Sequence, residues 1–145
     1  MKVVIQRVSS AKLSVEGELI SEIGRGLVVY FGVSLGDYAE SAAILAAKIS
    51  KLRIFEDGAG KMNLSISDEG GEILSVSQFT LLADTSRGNR PSFTGAEKPD
   101  RAKQIYEFFC EELERLGVKV KRGIFGADMK IEQVNEGPVT IILEA

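Results

Sequence analysis

The chain has 145 residues, 44% hydrophobic and 27% charged, with 15 Gly and 3 Pro, a balance that excludes disorder, collagen and coiled coil as the main architecture. Area scaling at this length gives about 7,300 Å² folded against roughly 22,800 Å² unfolded, enough burial for one domain spanning residues 1–145 around one sizeable core. With 18 basic and 21 acidic residues the net charge is −3, so contact with a nucleic acid has to come from a local basic patch.

Two absences narrow the chemistry further. A chain with 0 His builds no Ser-His-Asp or Cys-His nucleophile, no His-containing metal site and none of the usual neutral-pH acid-base groups. The single Cys110 allows neither an intramolecular disulfide nor a thiolate metal cluster, as in proteins of reducing compartments. The opening Met1-Lys2-Val3-Val4-Ile5-Gln6-Arg7 interrupts its apolar run too early for a signal-peptide core or a membrane span. The expectation is a cytoplasmic protein without a membrane segment.

In chain order, Val3, Ile5, Leu13 and Val15 alternate broadly with polar residues, which predicts a long half-buried strand bent near Ser9-Ser10. Glu16-Gly17-Glu18 reads as a hairpin turn, Leu19 to Ile23 as the return strand, and Leu27 to Val33 as a central strand covered on both faces. Asp37 with Glu40 has the form of a helix cap, and Ala42, Leu45, Ala46, Ile49 and Leu52 continue it as a helix over about 38–51. Arg53 to Glu56 is a short strand. The turn 57–61 is not a phosphate loop, because Phe55 and Met62 stand where that motif requires Gly and Ser or Thr.

Glu72 to Leu82 is strand-like. Residues 84–99 then form a long polar stretch with two of the three prolines, and a loop of that length is uncommon unless it has a function. From Asp100, Ala102, Ile105, Tyr106, Phe109, Leu113 and Leu116 make a helical stripe ended by Gly117, with Cys110 off the stripe as a passive thiol. Val118 to Lys121, Lys130 to Val134 and Val139 to Leu143 supply three further strands. The order predicts a single α+β domain with a mainly antiparallel, barrel-like sheet and two packed helices.

Several segments have the residue types that site chemistry needs. Ser75-Val76-Ser77-Gln78-Phe79-Thr80-Leu81 puts hydroxyls and an amide in a core-like strand. They read either as the solvent face of a half-buried strand or as a strand end facing a ligand. Thr80 has no neighbouring base to make it a nucleophile. Gly137-Pro138 reads as a turn that opens a strand, or as a close backbone approach with access to a cis peptide. Arg87, Arg90, Lys98, Arg101 and Lys103 form either a mixed solvated surface or a phosphate-contacting patch. Arg7, in an apolar strand, calls for a carboxylate or carbonyl partner. Asp84, Asp128 and Glu132 are carboxylates whose mutual distances sequence does not reveal.

Taken together, Gln6-Arg7-Val8, Lys61-Met62-Asn63-Leu64-Ser65, Ser77-Gln78-Phe79-Thr80-Leu81, Gly88-Asn89-Arg90-Pro91-Ser92-Phe93, Gly123-Ile124-Phe125-Gly126-Ala127-Asp128-Met129 and Asn135-Glu136-Gly137-Pro138-Val139-Thr140 resemble, in register, the D-aminoacyl-tRNA deacylases. The likeness covers essentially the whole chain. Glu136 stands where the resemblance leads one to expect Asp, at a turn expected to face solvent. The resemblance implies a homodimeric hydrolase that proofreads tRNA charging. It would cleave the ester between a D-amino acid, or glycine, and the terminal adenosine, with no metal or other cofactor. It also implies that Ser77, Gln78, Phe79 and Thr80 form the pocket floor, that Phe125 contacts adenine, and that Met129 forms a wall. Gly137-Pro138 would be a cis peptide reaching into the partner subunit's site, oriented by Arg7. Readings outside this family are a binding module that holds tRNA ends without turnover and a general amino-acid ester hydrolase using Thr80 or Ser77.

Overall fold

The alternation that opens the sequence becomes one long strand, β1 (Lys2–Val15), in a computed structural model that describes residues 1–145. Its N-terminal half packs Val3 and Ile5 into one core, and its C-terminal half packs Val8, Ala11 and Leu13 into another. The hairpin that follows turns on Glu16 and Gly17 at φ 50° and 80°, the positive pair that matches strand twist in a two-residue turn. Strands β2 (Glu18–Ile23) and β3 (Gly26–Gly32) then run back along the same edge of β1. The register pairs Ala11 with Ile23 and Val8 with Gly26.

Helix α1 (Ala39–Lys51) buries Ala42, Leu45, Ala46 and Ile49, as the spacing predicts. Asp37 does not cap it. The N-cap is Tyr38, without a side-chain cap bond, while Asp37 Oδ2 accepts from Ser34 N–H at 2.7 Å and lies 2.7 Å from the Met1 ammonium. Strands β4 (Phe55–Glu56) and β5 (Met62–Leu64) form a separate ribbon. They lead into a one-turn helix, α2 (Ile66–Glu69), held by a reciprocal Ser65–Asp68 capping box.

Strand β6 (Glu72–Ser77) pairs parallel to β3 and to β7 (Lys119–Arg122), so the sheet is mixed at this end, while β1 makes antiparallel pairs with β2, β3 and β8. The run predicted as strand through Leu82 stops at Ser77 and continues as a 3-10 turn, η1 (Phe79–Leu82). Helix α3 (Pro99–Arg115) packs on α1, and its Phe109 ring stacks on Phe31 at 4.2 Å between centroids. Cys110, expected off the stripe, is fully buried, with Sγ 3.4 Å from Ser75 Oγ. The final strand, β8 (Met129–Glu144), replaces the two predicted strands and pairs with β1 along nearly its whole length.

The sheet follows the order β2-β1-β3-β6-β7, with β8 on the other edge of β1. It curls until β2 meets β7, where Ser21 Oγ donates to the Arg122 carbonyl at 2.6 Å, giving the expected α+β barrel-like architecture. Val28, Leu74 and Val76 fill the barrel interior, while Leu27, Val29, Phe31 and Ile73 face the helices. β3 and β6 are therefore covered on both sides, which is why their sequences are apolar on both parities. No helix is long and apolar enough to cross a membrane.

Glu97 ties the end of the long loop to α3. Its carboxylate, almost buried at 4% side-chain exposure, accepts from Lys98 and Gly36 N–H and pairs with Arg101 at 3.2 Å. These bonds, Lys98 N–H first, hold its carboxyl below the usual carboxylate range. The native state thus binds this proton less readily than the unfolded chain. The stabilisation is complete above the unfolded value near 4.3 and is lost as pH falls through the lower folded value. Urea unfolding from pH 7 down to pH 3 is expected to show a weaker acid-side loss in Glu97→Gln than in the wild type.

Candidate active site

β3 and β6 run parallel and end side by side, with Phe31 paired to Ser77. Beyond that pair the chain can no longer continue the sheet. Gln78 N–H makes a last bond to the Phe31 carbonyl at 2.9 Å and η1 folds over the strand end. Gly32 permits this. A Cβ there would lie 2.9 Å from the Gln78 carbonyl oxygen and 2.6 Å from Leu82 Cδ2. The first N–H groups of a helical turn have no acceptor inside it, and in η1 those belong to Phe79 and Thr80.

The strand ends, the start of α3 and the segment 125–131 enclose a cavity of about 400 Å³. Ser77, Gln78 and Phe79 form one side and Phe125 to Met129 the other. Phe31, Val33, Val76, Pro99, Ala102 and Ile131 complete an apolar lining. Asp128 is the only charged residue in that lining, and it makes no ion pair or hydrogen bond. The 125–131 wall is tied to the floor through the Ser75 carbonyl, which accepts from Gly123 N–H at 3.0 Å and from the buried Tyr106 hydroxyl at 2.9 Å. Burial pushes the ionisations of Tyr106 and of neighbouring Cys110 upward, so both act here as neutral packing groups.

Five of the predicted site residues therefore converge on one cavity: Ser77, Gln78, Phe79, Phe125 and Met129. Thr80 is exposed and outside the lining, and its Oγ1 accepts a hydrogen bond from Gln78 Nε2. Gly137, Pro138 and Arg7 do not line the cavity. They form a second constellation on β8 and β1, where the register passes from Gln6–Thr140 to Val8–Asn135 and residues 136–139 step out of the ladder opposite Arg7. Gly137 and Pro138 are exposed at the crest and joined by a cis peptide.

Arg7 is 4% exposed and finds the carbonyl partners its position demanded. Nε donates to the Glu136 carbonyl at 3.1 Å and Nη1 to the Ile54 carbonyl at 2.7 Å, with Glu56 3.9 Å from Nη2. Gly137 passes so close over the guanidinium that a Cβ would sit 3.1 Å from Nη2. Glu136, expected to face solvent, is only partly exposed. Its Oε2 is buried, with Arg25 Nε 3.8 Å away.

The basic residues of the long loop divide. Arg101 and Lys103 pair with Glu97 and Glu107, whereas Arg87, Arg90 and Lys98 make no ion pair. Asp84 is committed to the loop itself, accepting from Ser86 N–H, which lowers its ionisation. No group of three or more His, Cys, Asp or Glu side chains is placed to hold a metal ion. Sequence reasoning missed the apolar walls of the cavity, because Phe31, Val76 and Ile131 follow strand periodicity like any core residue. Asp128 was named as one of several carboxylates and within the Gly123-to-Met129 motif, in neither place with a role.

These features define a small α+β barrel with a preformed, mainly apolar ligand cavity of ordinary size for a small-molecule site. The chain belongs to the D-Tyr-tRNA(Tyr) deacylase family, whose profile matches residues 4–144. It is 56% identical over 144 residues to the D-aminoacyl-tRNA deacylase of Deinococcus radiodurans, covering 99% of each chain. It is 54% identical over 145 residues to that of Geobacillus sp. (strain WCH70), covering 100% of this chain and 95% of the relative. Among solved structures, a c-Myc DNA unwinding element binding protein superposes with a TM-score of 0.93 at 44% identity, covering 100% of this chain and 99% of the other. A probable eukaryotic D-amino acid tRNA deacylase, 18% identical with a TM-score of 0.87, shares the fold over 98% of this chain and 97% of its own.

Because a Cβ at Gly32 would meet the Gln78 carbonyl oxygen as well as the Leu82 side chain, Gly32→Ala is expected to lower stability by about 1–3 kcal/mol, as overpacking does, in urea unfolding. Unchanged stability would show that η1 is free to shift.

Proposed function

We propose that the protein hydrolyses the ester of D-aminoacyl-tRNA, and of glycyl-tRNA, in the cytoplasm. The observation that carries this reading is the composition of the cavity. It pairs apolar walls of nucleoside dimensions with a polar floor of backbone, Ser77 and Gln78, in a chain of this family. Such a floor suits an enzyme that must accept many amino acids. It reads only the shared ammonium, carbonyl, ribose and adenine and leaves the side chain unread.

In this reading Phe125 stacks on adenine, Met129 closes the wall, and the Phe79 and Thr80 N–H groups hold the ester carbonyl. Water adds to that carbonyl, and the developing oxyanion is met by donors already in place, a source of large rate gains without a side-chain base. The tetrahedral species expels the ribose oxygen, which takes up the proton given up by the attacking water and relayed through the neighbouring hydroxyl of the same ribose. The products are free amino acid and tRNA. Thr80 positions Gln78 and does not attack.

Selection against L-substrates falls to Gly137 and Pro138 of a second copy of the chain. Three features support that. The two residues are exposed and outside their own chain's cavity, and Arg7 holds the segment from beneath. Val134 and Ile142, 58% and 62% exposed, flank them on β8. The accessible surface of 8164 Å² lies above the roughly 7,300 Å² usual for a monomer of this size, which leaves area for a face covered in a homodimer. At the Cα of a bound substrate one hand directs its side chain outward and the other drives it into the Gly137-Pro138 carbonyls. Glycine has nothing to collide.

Matched D-Tyr-tRNA and L-Tyr-tRNA with chelator present test the reading. Rapid loss of the D-ester alone is expected; loss of both favours a general esterase, and binding without ester loss favours a tRNA-end binding module. In single-turnover assays Thr80→Ala is expected to retain substantial activity. A loss approaching the roughly 10⁶-fold seen when a nucleophile is deleted would overturn the positioning role.

A further inference from the structure

The deacylase reading places only the terminal nucleoside in the cavity, so the nucleotides before it must leave across the mouth. Phe79 forms part of that mouth, yet it is 55% exposed, and its ring meets the edge of Phe93 at 5.1 Å between centroids. Phe93 follows directly on a closed loop. Asp84 and Ser92 exchange two backbone hydrogen bonds at 2.8 and 2.9 Å, so residues 85–91 project as one tip. That tip carries Arg87 and Arg90, both exposed and neither paired with a carboxylate.

An aromatic pair with Phe79 exposed and Phe93 partly so, separated in the chain by a loop tip with free guanidinium groups, offers what single-stranded nucleic acid needs, a surface for a base to stack on and cations for its phosphates. On a chain of net charge −3 the two unpaired arginines are not part of a general basic field. We infer that Phe79 and Phe93, with Arg87 and Arg90, form a track for the single-stranded nucleotides immediately preceding the terminal adenosine. The base next to the terminus stacks on the aromatic pair, and the phosphates on either side meet the arginines. This rests on the deacylase reading and extends it from the reacting nucleoside to the strand that delivers it.

The test compares D-tyrosyl-tRNA with D-tyrosyl-adenosine, which fills the cavity but has no preceding nucleotide. Phe93→Leu, and separately the exposed double variant Arg87→Gln/Arg90→Gln, are expected to lower kcat/KM on the tRNA, mainly through KM. The tRNA-to-adenosine preference should fall about 5- to 150-fold for Phe93→Leu, the range of base–aromatic stacking. The double variant should flatten the plot of log affinity against log salt by about 1.4, as expected for two single-strand phosphates. A fluorescent 2-aminopurine next to the 3′ terminus of a short oligonucleotide should be quenched by the wild type and less so by Phe93→Leu. Equal loss on both substrates would make Phe93 a mere prop for Phe79, and full retention on tRNA would remove the track; either overturns the inference. A wild type inactive on both esters would instead overturn the deacylase reading beneath it.

Discussion

Strand β1 has two hydrogen-bonding edges and three partners, and most of the molecule follows from how it shares them. One edge goes to β8 alone. The other is divided, with residues 2–8 taken by β3 and residues 11–15 by β2. A strand shared in this way has to bend where the partner changes, and the bend turns its two halves toward different cores. It also leaves a place, opposite Arg7, where β8 cannot follow in register. The four residues 136–139 that step out there are the geometric remainder of that mismatch, and Arg7 fills the space beneath them with hydrogen bonds that a buried guanidinium must find in any case.

The cavity arises at the opposite end of β3 from that step. Leu27, the partner of Arg7, and Phe31 at the cavity are four residues apart, roughly 13 Å along a strand. Parallel pairing matters here, because it brings the ends of β3 and β6 to the same level and leaves both without a continuation. The chain then turns tightly over Gly32, and a tight turn presents backbone donors. The candidate site thus depends on backbone more than on reactive side chains, in keeping with a sequence that has no histidine and whose single cysteine is sealed in the core.

Legibility from sequence followed the length scale of the signal. The hairpin at Glu16-Gly17, helix α1 and the apolar stripe of α3 were readable because each is a local pattern with a period or a turn residue of its own. The one-turn α2 was overlooked although Ser65 and Asp68 carry its capping signature, since four residues show no periodicity. Asp37 looked like a cap, but it is bonded to Ser34 and to the chain's first residue, and only tertiary structure brings Met1 there. Cys110 looked off-stripe because α3 is covered on a wider arc than one face, by β6 as well as α1. The parallel pairing of β6 and the single course of β8 depend on contacts far apart in sequence. Within the site, the polar motif stood out by composition and the Phe125-to-Met129 segment only through its resemblance to the family, whereas the apolar walls carried no mark separating them from core.

The step in β8 has one more consequence. The far edge of β8 pairs with no other strand of the chain, and 16 residues of open edge would ordinarily invite end-on accretion of further strands and growth into aggregates. Residues 136–139 cut that edge in two, and Pro138 offers no N–H at the break. The flanking stretches also carry Lys130, Glu132 and Glu144, all exposed, so an incoming strand meets charge as well as a broken template. The projection that Arg7 supports therefore doubles as a guard on solubility. Replacing it with a smooth continuation of the strand would restore a long sticky margin to the molecule, whatever became of its chemistry.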